Sequence, residues 1–63
     1  MPKIIAVSNF DDESVSDRLV AENIKSEMEA RHMAGALNAV TGPNSADYFK
    51  VVPDDHKLYQ WEP

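Results

Sequence analysis

Asp54, Asp55 and His56 place two carboxylates and an imidazole next to one another, and these side chains are common ligands of divalent metal ions. Consecutive residues in a turn point their side chains apart, however, and no second cluster completes a coordination sphere. An aspartate after Pro53 is also ordinary turn chemistry. We therefore predict no metal site at this position.

The remaining candidates for catalysis are equally sparse. The acidic run Asp11-Asp12-Glu13 lacks the spaced oxygen ligands and the glycine of a calcium loop, so it is typical of a solvated turn. His32 has no serine or cysteine that can be named as its nucleophilic partner. The chain has no phosphate-binding glycine motif, and 63 residues hardly enclose a substrate pocket. We predict a protein that is not an enzyme and has no cofactor, with a small oligomeric enzyme or metal-binding protein as an alternative.

The aromatic residues near the C-terminal end are the strongest indication of a function. Aromatic side chains are enriched among the residues that dominate protein–protein binding energy. A small domain also needs its large side chains to fill its core, so Tyr59 and Trp61 have two open interpretations, core and interface. The candidate protein-binding residues are Tyr48, His56, Tyr59 and Trp61.

The charge of the chain bears on the class of its partner. The formal net charge is −5, from 11 acidic and 6 basic residues, and the basic residues are scattered singly. Direct binding of nucleic acid needs clustered cations, so we do not expect it. Acidity of this size usually serves solubility. The alternative function is that of a nucleic-acid mimic, in which Asp11, Asp12, Asp54 and Asp55 would line one face and inhibit a DNA- or RNA-binding enzyme.

The length of the chain predicts a single domain, residues 1–63, with a small core. A domain of this size buries only about 60% of the surface that its unfolded chain exposes. The absence of cysteine excludes a disulfide and fits a cytoplasmic protein. No apolar run approaches the roughly 20 residues of a membrane span, and we expect no signal peptide. Binding to another protein or to a second copy is the remaining route to extra stability.

The segment Ser26-Glu27-Met28-Glu29 has the pattern of a capping box, in which Ser26 and Glu29 satisfy each other's backbone N–H groups. An apolar repeat at helical spacing follows, and Gly42-Pro43 is a typical helix end. These features predict a helix from Glu27 to about Thr41. Gly35 inside it is explained either by close packing against a sheet or by drift. The apolar repeat comprises Ala30, Met33, Ala34, Leu37 and Val40.

Strand composition flanks this helix on both sides. Residues 3–10 are apolar on both alternating faces, which predicts a central strand. Residues 47–52 predict another strand, with Phe49 and Val51 facing the helix. Residues 56–61 fit a short edge strand or an ordered tail.

The segment from Val15 to Ile24 is ambiguous. As a strand it would turn Leu19 and Ala21 inward, and as a helix it would be capped by Ser14. A single helix through to residue 41 would bring polar side chains onto its apolar face, so we favour the strand. The predicted fold is α+β, with an antiparallel sheet of three to four strands and one amphipathic helix on one face, in the order ββαβ. The other face of the sheet would be free for a partner or a second copy.

The run Ala36-Leu37-Asn38, together with residues 48–59 and their Val-Val-Pro-Asp-Asp pattern, resembles small uncharacterised proteins encoded by bacteriophages. The resemblance covers the chain from about Leu19 onward and assigns no active residue. It implies a ββαβ fold and expression in the cytoplasm of an infected bacterium. It also implies a protein-binding module that modulates or inhibits a host protein.

Overall fold

A three-stranded antiparallel sheet with one helix on its face makes up the described residues, 1–10 and 14–62, of the computed structural model. The strand order is β2-β1-β3, so the first strand is central, as its apolar sequence predicted. The α+β class and the ββαβ order are confirmed, with three strands in this part of the chain. The elements are β1 (Lys3–Ser8), β2 (Arg18–Ala21), α1 (Glu27–Thr41) and β3 (Asp47–Val52).

The central strand contributes the two largest fully buried side chains, Ile4 and Ile5. Because adjacent residues of a strand point to opposite faces, these two side chains lie on opposite sides of the sheet. Ile4 faces α1 and packs with Ile24, Ala30 and Ala34. Ile5 faces away from the helix, so the second side of the sheet must be covered by other parts of the chain.

The start and the end of α1 follow the sequence signals. Ser26 is the N-cap, and its Oγ accepts a hydrogen bond from the Glu29 N–H at 3.1 Å. The reciprocal bond from Ser26 N–H to the Glu29 carboxylate is not among the hydrogen bonds of the described residues. At the other end Gly42 has φ +81°, and its N–H donates to the Asn38 carbonyl at 2.9 Å.

α1 lies mainly over β3 rather than over the centre of the sheet. Asn38 fixes this position, because its side-chain amide donates to the Phe49 carbonyl at 2.8 Å and accepts from the Phe49 N–H at 2.9 Å. The flank of α1 that faces away from β3 is consequently uncovered. Met33 is 43% exposed and Val40 86% exposed, so the apolar repeat of α1 is buried only in part.

β2 is a strand, which resolves the ambiguity of residues 15–24 in favour of the extended structure. Its pairing with β1 contains a bulge, since Ala21 pairs with Ile4 while Leu19 pairs with Ile5. The bulge turns Leu19 to the face opposite α1, where it is 47% exposed. The prediction that Leu19 and Ala21 share the inner face is therefore wrong for Leu19.

Gly35 is not explained by close packing. A Cβ atom at this position would meet no atom within 4 Å, outside its own helix and chain neighbours. Because glycine in a helix interior costs about 1 kcal/mol relative to alanine, we expect Gly35→Ala to raise the free energy of unfolding by about 0.5–1 kcal/mol. Gly42→Ala is the matched control. Because Gly42 has a positive φ, we expect this substitution to lower the free energy of unfolding by a similar amount. Urea denaturation measures both changes, and destabilisation by Gly35→Ala would contradict this description of the helix.

Candidate protein-binding face

The face of the sheet opposite α1 carries the first of the predicted binding residues, Tyr48. Phe49 and Val51 of β3 pack against the helix side of the core, so the alternate residues Tyr48 and Lys50 point to the opposite side. Tyr48 is paired with Val7 of the central strand and is 47% exposed. The prediction that Phe49 and Val51 face the helix is confirmed.

The chain reverses direction directly after β3. The N–H of His56 donates to the Pro53 carbonyl at 3.0 Å, so the turn runs from Pro53 to His56. Asp54 and Asp55 occupy the two central positions and are exposed. The chain continues as residues 56–62, here called the C-terminal segment, which is not assigned to a strand.

The C-terminal segment crosses the sheet on the side opposite α1. Lys3, at the start of β1, donates from Nζ to the His56 carbonyl at 2.7 Å. Farther along, the Asp17 N–H donates to the Tyr59 carbonyl at 2.8 Å, and the Tyr59 N–H donates to Asp17 Oδ2 at 2.9 Å. The Trp61 N–H donates to Ser16 Oγ at 3.0 Å. The segment therefore runs from the end of β3 to the residues that precede β2.

This crossing explains the complete burial of Ile5. The Lys3 side chain lies on the same face as Ile5, because the two residues are two positions apart in β1. The segment that Lys3 holds thus lies over the side that the helix leaves open. The expectation that this face is free is corrected, because part of it is covered by the protein's own chain.

The predicted aromatic residues share this side of the molecule, and they are not core residues. Tyr59 is 46% exposed and Trp61 44% exposed, although the backbone of each is hydrogen-bonded to the residues before β2. His56 is half-buried beside the turn. The structure thus answers the question of core against surface for Tyr59 and Trp61, and it places Tyr48 on the same side as the C-terminal segment.

The carboxylates of the predicted mimic face are only partly described. Asp11 and Asp12 lie outside the described residues. Asp54 accepts from the N-terminal ammonium group at 3.2 Å, at the end of the sheet where β3 finishes. Two further carboxylates have cationic partners, since Arg18 pairs with Asp47 and Arg31 pairs with Glu27 at 3.3 Å. These pairs place positive charges beside the acidic groups. The mimic function stays a prediction.

Within residues 1–10 and 14–62, no group of three or more histidine, cysteine, aspartate or glutamate side chains is arranged to hold a metal ion. In the same residues no helix has the length and apolar character needed to cross a membrane.

Sequence reasoning missed two residues that organise this face. The sequence indicated Asn38 only through the resemblance, yet its side-chain amide is hydrogen-bonded to both backbone groups of Phe49 at the outer edge of β3. Asp17, within the ambiguous segment from Val15 to Ile24, anchors the C-terminal segment through both its N–H and its carboxylate. An asparagine on the flank of an otherwise small and apolar helix face is the signal that identifies Asn38. No comparable signal marks Asp17, because its partner is 42 residues away in the chain.

Comparisons with known proteins do not assign the chain to a family: no family model, no curated protein and no solved structure matches it. The resemblance to bacteriophage-encoded proteins stays a prediction.

Proposed function

We propose that this protein is a non-enzymatic protein-binding module, and that its partner docks on the side of the sheet opposite α1. The observation that carries the proposal is the exposure of Tyr48, Tyr59 and Trp61 on that one side, each between 44% and 47%. A domain with so small a core gains stability from every large apolar side chain that it buries. Aromatic rings left half in solvent are therefore available to a partner.

The backbone geometry supports the proposal, because hydrogen bonds fix the main chain that carries two of these rings. Hydrogen bonds to Asp17 and Ser16 hold the main chain at Tyr59 and Trp61. A binding surface that is ordered before the partner arrives loses less conformational entropy on binding. Tyrosine and tryptophan also combine a large apolar area with a polar group, which suits an interface that is wet when unoccupied.

The resemblance to small bacteriophage-encoded proteins supports one kind of partner. We propose a host protein in the bacterial cytoplasm, whose activity this protein modulates or inhibits. A second copy of the same chain is the other partner of this class, and the size of the purified protein in solution distinguishes the two.

The double substitution Tyr59→Ala/Trp61→Ala tests the proposed surface. We expect the dissociation constant for the purified partner to rise at least tenfold, since central aromatic residues contribute about 2 kcal/mol or more each at such interfaces. The fold should persist, because the bonds to Ser16 and Asp17 come from the backbone. Isothermal titration calorimetry measures the affinity, and circular dichroism checks the fold.

Met28→Ala/Val40→Ala is the matched control for this experiment. Both side chains are more exposed than the aromatic residues, 70% and 86%, and both lie on α1. The control should bind the partner like the unmodified protein. Equal affinity of the aromatic double variant and the unmodified protein would refute the proposed surface.

A further inference from the structure

Three surface depressions meet at Tyr48. Their volumes are about 330, 290 and 520 Å³. The first lies on the sheet face beside Val7, and the other two lie between α1 and the outer edge of β3. We call the two depressions between α1 and β3 the edge groove. Its defining residues are Arg31, Gly35, Asn38, Tyr48 and Lys50.

Small residues line much of the helix side of the edge groove. Gly35 borders both of its depressions, and a Cβ atom there would meet no atom within 4 Å. Ala34 and Ala39 line the groove on either side of the glycine in sequence. Between Arg31 and Asn38 the helix presents only small side chains to the groove, so the main chain of a bound segment can come close to the helix at Gly35.

The smaller depression of the edge groove differs in charge from the whole protein, while the larger one is lined by Asp47, which pairs with Arg18. Arg31 and Lys50 both line the 290 Å³ depression, although the chain carries a net charge of −5. Lys50 is exposed, and the ion pairs of the described residues do not include it. Arg31 forms an ion pair with the Glu27 carboxylate at 3.3 Å, and its other guanidinium N–H groups can bind a second acceptor. Both cations favour a ligand with carboxylates.

The outer edge of β3 limits how a ligand can bind. The Asn38 amide occupies both the N–H and the carbonyl of Phe49, which point away from β1. A bound segment cannot pair with this edge as a regular fourth strand while those bonds are made. The ligand must therefore be held by its side chains, against Tyr48 and the two cations.

We propose that the edge groove binds an extended acidic segment of a partner protein. The segment lies along the outer edge of β3. One of its apolar side chains packs on the Tyr48 ring at the rim of the opposite sheet face, and a neighbouring carboxylate pairs with Lys50. This inference rests on the proposed protein-binding function and names the chemistry of the segment that is recognised.

A defined peptide tests the proposal without knowledge of the partner. The probe is an acetylated, amidated hexapeptide that alternates aspartate and valine, titrated into the ¹⁵N-labelled protein and followed by NMR. We expect amide shifts concentrated at Gly35, Tyr48 and Lys50, and weaker binding at high salt. A peptide that alternates lysine and valine should cause no such shifts. Binding of both peptides alike, or shifts spread over the whole surface, would overturn the proposal.

Substitutions in the edge groove provide the second arm of the experiment. Lys50→Glu should weaken binding of the acidic peptide at least tenfold, and Gly35→Leu should weaken it by filling the groove. Lys25→Glu is the control, because it makes the same charge change at an exposed position before α1. Equal losses of peptide affinity in Lys25→Glu and Lys50→Glu would show a general effect of charge and refute peptide binding in the edge groove.

The outcomes also separate this inference from the proposed function. Shifts confined to Tyr59 and Trp61 would refute the edge groove and leave the proposed surface intact. Groove binding of the acidic peptide, together with partner binding that ignores Tyr59→Ala/Trp61→Ala, would support the groove and refute the proposed surface.

Discussion

Ile5→Ala is expected to lower the free energy of unfolding by about 2–5 kcal/mol, the usual cost of such a truncation in a packed core. Ile5 is fully buried although it points away from α1, because the C-terminal segment lies over this side of the sheet. A domain of 63 residues has only a few kcal/mol of stability to lose. We therefore expect a substantial unfolded population of this variant at 25 °C.

Val20→Ala is the matched control for Ile5→Ala. Val20 lies in the neighbouring strand β2 but is 42% exposed, so its truncation should change stability by about 0.5 kcal/mol or less. Urea denaturation, followed by circular dichroism and by Trp61 fluorescence, gives both values. A loss below about 1 kcal/mol for Ile5→Ala would show that the C-terminal segment does not seal this face.

Asn38→Ala is expected to cost about 1–3 kcal/mol, because one substitution removes both hydrogen bonds from the Phe49 backbone. The variant should also self-associate more readily than the unmodified protein. An unprotected strand edge presents unpaired N–H and carbonyl groups to other chains, and Asn38 is what covers them at Phe49.

Two measurements check the consequences of Asn38→Ala. Urea denaturation gives the loss of stability, and analytical ultracentrifugation at increasing concentration gives the association. Asn44→Ala removes the same type of side chain from an exposed turn and should leave both measurements nearly unchanged. If Asn38→Ala and Asn44→Ala behave alike, Asn38 does not position α1 over β3.

The elements with strong local signals could be predicted from the sequence. Ser26 and Gly42 mark the two ends of α1, and the helix bounds agree with the prediction. The strand composition of β1 and β3 gave their positions and the inward direction of Phe49. These features depend on residues close together in the chain, where capping, periodicity and turn chemistry act.

The parts that failed depend on contacts between distant residues. The bulge in the pairing of β1 and β2 turns the Leu19 side chain to the other face of the sheet, and no local sequence pattern predicts it. The path of the C-terminal segment depends on hydrogen bonds from Tyr59 and Trp61 to Asp17 and Ser16, which lie 42 and 45 residues away. The exposure of the aromatic residues follows from that path. The candidate site could therefore be predicted as a set of residue types, but not as an arrangement.

Affinity capture from bacterial lysate, with the eluted complexes identified by mass spectrometry and sized, tests the protein-binding function most directly. The baits are the unmodified protein, the triple variant Tyr48→Ala/Tyr59→Ala/Trp61→Ala and the control Met28→Ala/Val40→Ala. We predict that one protein elutes in stoichiometric amount with the unmodified and control baits and is lost with the triple variant, while circular dichroism shows that all three are folded. Equal recovery of that protein on the triple variant, or no bound protein on any folded bait, would contradict the function proposed here.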